Sequence, residues 1–377
     1  MKKELVKGFK DYSGDEAEKR ANIRKIIISN FEKYGFRPAE TPIVEYESFV
    51  KGDNEKDEAV SDIFRLKDKG KRKLGLRYEF TFQLKRLMKN QKLPYKRYQI
   101  GPVFRDEPIT ANRFRQFIQC DADVIGSTIR DEAEILTLSV NVLNNLGIKP
   151  VVLINNRKLL NEILDSEGIK EKDKSQVLRE IDKFDKLPEK EIRKNLKKYK
   201  ADNLIDLFKK GEKFFSQFDS YKEVIGLIAY CRAFGIKVIF APTIVRGLSY
   251  YNGSVFELKA KGMKESVVAG GSYMFEGVQS TGISFGLDRI ASLIKIKEER
   301  DKFLVVSLEQ DRQAIKLAQK LRKQGKIVSL FYGKPSKALE YANSYKINKV
   351  VFVGSKEIKK KLFRIKDMKT GKEEKLK

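Results

Sequence analysis

Histidine is absent from all 377 residues, and so is tryptophan. Without histidine the commonest general base and metal ligand is missing, which excludes Ser-His-Asp, Cys-His and HExxH chemistry. Proton transfer falls to carboxylates, Lys, Tyr or the substrate itself, and catalysis by positioning and charge stabilisation becomes the expected strategy. Cysteine is scarce too. Cys120 and Cys231 stand far apart with no CxxC spacing, so neither a disulfide framework nor a zinc site is expected, and metal ligands stay unassigned. No stretch approaches the roughly 20 apolar residues of a bilayer crossing, and the opening MKKELVKGFKDYSG holds no apolar leader. A soluble, cytoplasmic protein with no membrane partner is expected.

Positive charge is in excess: 79 Lys and Arg face 52 Asp and Glu, a net of +27 spread along the chain. That balance points to a polyanionic partner, nucleic acid first; a lysine-rich solvated surface would leave the same mark. The length suits two or three domains. Residues 15–34 place Ile23, Ile27, Phe31 and Tyr34 at helical spacing, with Gly35 just beyond. TPIVEY, opened by Pro42, reads as an edge strand, and residues 52–73 as a polar loop or hairpin tip. Lys/Glu-rich helical texture over 153–232 reads as an inserted subdomain that splits a core of 1–152 and 233–298. From Lys302, strands alternate with helices (FLVVSL, DRQAIKLAQKLRKQG, KIVSLFYG, SKALEYANSYK, KVVFVGS), predicting a separate α/β domain. Residues 301–377 carry 21 Lys and Arg against 8 Asp and Glu, a net of +13 suited to a phosphate backbone.

The richest chemistry lies in RYQIGPVFR (97–105) and RQFIQCDADVIG (115–126), joined by DEPITANRF. Period-two alternation gives each strand an apolar face, Tyr98, Ile100 and Phe104, then Ile118, Cys120, Ala122 and Val124. The other faces carry Gln99 and Arg105, then Gln119, Asp121 and Asp123, the floor of a polar ligand site. Arg105, Arg113 and Arg115 converge on the connecting loop, an arrangement whose repulsion calls for an anion. Arg289 in GLDRI begins a helix after GISFG, and VRGLSYYNG adds Arg246 beside Tyr250 and Tyr251. Gly270-Gly271 in VVAGGSY reads as a tight turn or a close approach to ligand. Glu79 in LRYEFT reads equally as a strand-end carboxylate.

In this order, KGFKDY, TPIVEY, LRYEFT, GPVFRDEP with RQFIQCDADVIG, RGLSYYNG, AGGSY and GISFGLDRI resemble the histidyl-tRNA synthetases, class II aminoacyl-tRNA synthetases. DADVIG is more similar to the archaeal and eukaryotic branch. The resemblance implies an α+β fold: a six- or seven-stranded antiparallel sheet flanked by helices, with an α/β anticodon-binding domain over 301–377. It implies a homodimer built around the first helix and TPIVEY, with ATP, Mg²⁺, histidine and histidine tRNA as ligands. By motif position, Arg105 and Arg289 would hold the ATP phosphates, with Glu107 and Arg113 supporting the nucleotide. Glu79, Thr81, Gln119, Asp123, Tyr250 and Tyr251 would bind histidine, and Arg246 would stabilise charge at the α-phosphate. Ser249 departs from the usual Asp, and GGSYM departs from the usual GGRYD at Ser272 and Met274, which bears on the amino-acid pocket. A non-charging paralogue that regulates histidine biosynthesis is the alternative; it would be expected to lose the basic C-terminal domain or degrade these motifs.

Overall fold

A helix over Gly14–Lys33 opens the chain, with Ile23, Ile27 and Phe31 fully buried. It ends where Gly35 takes a left-handed φ of 79°, a conformation free of Cβ strain only for glycine. The structure, a computed structural model, describes residues 3–52, 58–110, 113–184, 187–246, 250–263, 265–294 and 301–376. Residues 1–294 form one compact unit and 295–377 another.

In the first unit, β1 (Arg37–Pro38) and β2 (Val44–Tyr46) are followed by β3 (Arg65–Lys67) and β4 (Lys73–Leu76). Strands β2, β4 and β3 make a small sheet, so the polar stretch 52–73 includes a true hairpin. The main sheet adds β5 (Tyr95–Phe104), β6 (Gln116–Ile125), β7 (Pro150–Asn156), β8 (Ile239–Phe240), β9 (Tyr251–Ala260), β10 (Ser266–Phe275) and β11 (Val278–Gly286). Its order is β1-β5-β6-β11-β10-β9-β7-β8. The six central strands are antiparallel, as expected, and the two-residue strands β1 and β8 add parallel partners at the edges.

Alternation in β5 and β6 sorts the side chains as the sequence predicts. Cys120, Ala122 and Val124 are fully buried, and Phe31 of the first helix packs on Tyr98 and Phe285 with ring centroids 5.4 and 5.7 Å away. The register sets Arg97 opposite Asp123 and Gln99 opposite Asp121.

The helical insertion differs from its expected bounds. Residues 153–156 belong to β7, where Ile154 is fully buried in the sheet, and the helices run from Arg157 to Ala233. Of these, Arg157–Ser166 packs on β9, and Tyr221–Ala233 packs on β7 and on the helix Ile129–Asn145. The change of texture marks the first helix, whereas the apolar run PVVLINN carries the strand beyond the expected boundary.

The second unit holds β12 (Lys302–Ser307), β13 (Ile327–Tyr332), β14 (Lys349–Val353), β15 (Arg364–Asp367) and β16 (Glu373–Lys375), in the order β13-β12-β14-β15-β16. The first three strands are parallel, as the alternating pattern predicts, and the last two add antiparallel pairs. Phe303 and Val305 face the helix Asp311–Lys323, while Leu304 and Val306 face Pro335–Ser344, so β12 is covered on both sides.

Candidate active site

One cavity of about 210 Å³ opens on the polar face of the main sheet. Its lining includes Glu79, Thr81, Arg105, Glu107, Arg113, Gln119, Asp123, Arg246, Tyr250, Tyr251 and Arg289, every residue that the sequence nominated for nucleotide, histidine or catalysis. They arrive from β6, β9, the helix that follows β11 and three loops, and only the fold joins them.

The cationic cluster comes first. Arg105 leaves the end of β5; its backbone N–H donates to the Arg115 carbonyl at 2.9 Å, closing the turn, and its Nε donates to the Tyr78 carbonyl at 3.2 Å. Arg113 pairs with Glu107 at 2.9 Å, and Arg246 with Glu257 at 3.2 Å. Arg246 sits at a φ of +63°, a strained backbone position for a side-chain-bearing residue. Arg289 Nη1 donates to the Ser266 carbonyl at 2.9 Å. Burial lowers the Arg289 pKa, and the positive charges of Arg113, Arg246 and Arg105 push it further down against the pull of Glu265. Four guanidiniums gathered around one cavity, three of them acting on the fourth, make a positive field suited to an anion. Arg115 is not among its lining residues: it pairs with Asp106 at 3.1 Å, a correction to the three-arginine reading of the loop.

The acidic cluster lies deeper. Glu79, Asp121 and Asp123 are all less than 7% exposed. Burial pushes the Glu79 carboxyl up to about 7, Arg105 opposing and Asp123 reinforcing the shift. Burial also raises Asp121 to about 7, with the Ser284 hydrogen bond opposing. Asp123 is raised by burial and restrained by Arg97 and Tyr273: Arg97 Nη2 lies 2.9 Å from one carboxylate oxygen, and the Tyr273 hydroxyl donates to the other at 2.6 Å. A Cβ at Gly282 would collide with that carboxylate, so glycine is required beneath it. The Tyr250 and Tyr251 rings meet at a tilt with centroids 4.8 Å apart, and Tyr250 meets Tyr273 edge-on at 5.5 Å.

Gln119 is fixed between neighbours. Its Nε2 donates to Ser284 Oγ at 2.7 Å and to Asp121 Oδ1 at 3.3 Å. With the amide nitrogen held there, the buried Oε1 has no partner among the described residues and remains as an acceptor for a ligand. Arg105 and Tyr251 join the two clusters electrostatically, the first acting on Glu79 and the second lying beside Arg246.

Several expectations change. Gln99 does not line the cavity; it donates to Thr41 Oγ1 at 2.7 Å. Gly270 and Gly271 are mid-strand in β10 rather than in a turn, and side chains there would strike β11 and Tyr251 rather than a ligand. Glu79 lies in the loop after β4, not at a strand end. Ser272 points away from the cavity and donates to the buried Glu132, while the half-exposed Met274 borders a neighbouring depression. Ser249 falls outside the described residues. Arg97, Tyr273 and Ser284 were missed, although alternation with Gln99 already put Arg97 on the polar face.

The chain matches the histidyl-tRNA synthetase family over residues 8–290 and an anticodon binding domain over residues 297–377. It belongs to the histidyl-tRNA synthetase family. It is 34% identical to histidine–tRNA ligase 1 of Bacillus cereus, across all of this chain and 98% of that protein. The crystal structure of histidyl-tRNA synthetase from Nostoc is similar with a TM-score of 0.87 at 24% identity, covering 100% of this chain and 97% of that one. A Bacillus halodurans structure described as an ATP phosphoribosyltransferase regulatory subunit/histidyl-tRNA synthetase gives 0.79 at 22%, covering 93% and 98%. These two likenesses establish the class II synthetase fold. The relatives named are bacterial and lend no support to the archaeal and eukaryotic affinity read from DADVIG.

Proposed function

We propose that this synthetase-family chain activates histidine with ATP and transfers it to histidine tRNA. The observation that carries this reading is the single cavity in which a four-arginine cluster meets a buried acidic and phenolic one. The cationic cluster suits a triphosphate: Arg105 and Arg289 grip the phosphates, and Arg113, oriented by Glu107, supports the nucleotide. The acidic cluster suits an imidazole, which donates from both nitrogens when charged and can meet Glu79, Asp123 and the Tyr250 and Tyr251 hydroxyls. Thr81 and the free Gln119 oxygen complete the amino-acid pocket.

Reaction belongs at the junction of the clusters. The histidine carboxylate oxygen attacks the α-phosphorus, the bond to the bridging oxygen breaks and pyrophosphate leaves. Arg246 and Arg105 stabilise the charge that develops, with no proton transfer by histidine required. A tRNA 3′-terminal hydroxyl then attacks the carbonyl and releases AMP. Among the described residues no group of three or more Asp, Glu or Cys could hold a metal ion, and Glu107 and Glu257 are engaged by arginines. These residues do not build a resident Mg²⁺ site; Mg²⁺ enters as the counter-ion of ATP.

The net of +13 over residues 301–377 supports tRNA contact through the C-terminal unit. Exposed Ile43, Val44 and Tyr46, at 39, 45 and 55%, support a homodimer through the TPIVEY segment. The regulatory alternative expects loss of the C-terminal unit or of the arginine array, and both are retained. ATP–pyrophosphate exchange with each of the twenty amino acids, followed by tRNA charging, tests the proposal. Exchange with histidine alone is expected; none with any amino acid, in folded protein that binds ATP, would refute it.

A further inference from the structure

A second cavity, of about 250 Å³, lies behind the catalytic one, against the first helix. Lys10, Tyr12, Arg20, Arg24, Gln116 and Asp288 line it, and Asp288 and Phe117 are shared with the catalytic cavity. Its one carboxylate is already engaged. Asp288 accepts from Tyr12 at 3.0 Å, from Arg20 at 2.8 Å and from the Ile118 backbone N–H at 2.8 Å. Arg24 differs from these. Its Nε is closed off from water and has no hydrogen-bond partner among the described residues. The residues one turn away on the helix, Arg20, Ala21, Ile27 and Ile28, include no acid, and Arg20 adds a like charge. Three cations against one spent carboxylate leave the wall at a net of +2.

Arg24 is only partly buried, but its shielded Nε–H without an acceptor is costly unless an anion completes it. We propose that this pocket binds a phosphate group. A tetrahedral oxyanion can offer paired oxygens to Arg24 and still reach Lys10, and a phosphate charge of about −1.5 to −2 near neutral pH offsets the wall's net of +2 more fully than a carboxylate's single charge. The site stands apart from the ATP cluster, because Arg105, Arg113, Arg246 and Arg289 do not line it. The shared Asp288 precedes Arg289 in sequence, so a phosphate here adjoins the wall that carries the ATP-binding arginine.

Calorimetric titration of inorganic phosphate into the full-length protein tests the pocket, with a non-hydrolysable ATP analogue and histidine first saturating the catalytic cavity. Heat from the analogue reports separately on that cavity, so failure of the ATP reading is distinguishable. One further phosphate is expected to bind, its Kd raised about tenfold or more in Arg24→Met. Lys10→Met, a change at an exposed position, should weaken it in the same direction and guards against a folding defect. No phosphate heat in the wild type, or an unchanged Kd in both variants, overturns the proposal. Salt titration of tRNA binding assigns the source. A slope of log K against log salt shallower by about 1 in Arg24→Met marks an RNA backbone phosphate; an unchanged slope with lost phosphate binding marks a free phosphate.

Discussion

The two clusters of the catalytic cavity hold charge in opposite ways. Arg105 and Arg113 keep side chains 27 and 53% exposed, so water shares their charge before any ligand arrives. Glu79, Asp121 and Asp123 lie out of water; burial raises the Asp123 pKa and pushes Glu79 and Asp121 up to about 7. The cationic cluster therefore presents a standing field that attracts a polyanion. The acidic cluster becomes fully charged only when a cationic or hydrogen-bond-donating ligand takes the place of water, which makes it the more selective of the two.

Breaking the junction should have the largest effect. Arg246→Ala is expected to lower the pyrophosphate-exchange rate by about 10²- to 10³-fold, the cost of removing one preorganised donor to developing charge. Glu79→Gln should raise the histidine KM in the same assay by about 10- to 100-fold, since a charged hydrogen-bond partner is lost from a buried site. A smaller effect, roughly tenfold or less on histidine KM with little change for ATP, is expected of Ser284→Ala, which removes the Oγ acceptor that holds the Gln119 amide. An unchanged histidine KM there would remove Ser284 and Asp121 from the positioning of Gln119.

The pH dependence of stability sharpens the contrast further. Glu79 rises from its ordinary 4.5, and Asp121 from 3.8, to about 7 in the fold. Between those limits the folded protein binds more protons than the unfolded chain. Without ligand, stability should therefore fall as pH rises from about 4 to about 7, then level off. Thermal melts across that window should show the decline, and Glu79→Gln should flatten it.

Sequence made the cavity legible to different depths. Arg105, Gln119 and Asp123 were readable because strand alternation and turn position fix where such residues point. Arg289 and Arg246 were readable through the family's ordered motifs, not through their local surroundings. Arg97 lay on the polar face by the same alternation, yet its pairing with Asp123 required the β5–β6 register. Tyr273 and Ser284 come from β10 and β11, which reach β6 only across the completed sheet, and no local spacing announces that meeting. Ser272 taught the converse: beside Tyr273 in the chain, it faces the other side of the sheet, so its departure from the family pattern spares the cavity. The insertion boundary moved for a related reason, since PVVLINN joins β9 through pairing that local texture cannot reveal.

The central claim is that one cavity holds ATP at its cationic cluster and histidine at its acidic one. Calorimetric Kd values for ATP and for histidine, each measured on Glu79→Gln and on Arg289→Ala, test it most directly. The account predicts that Glu79→Gln weakens histidine and leaves ATP near its wild-type value, and that Arg289→Ala does the reverse. Equal losses for both ligands in both variants would contradict the division of the cavity.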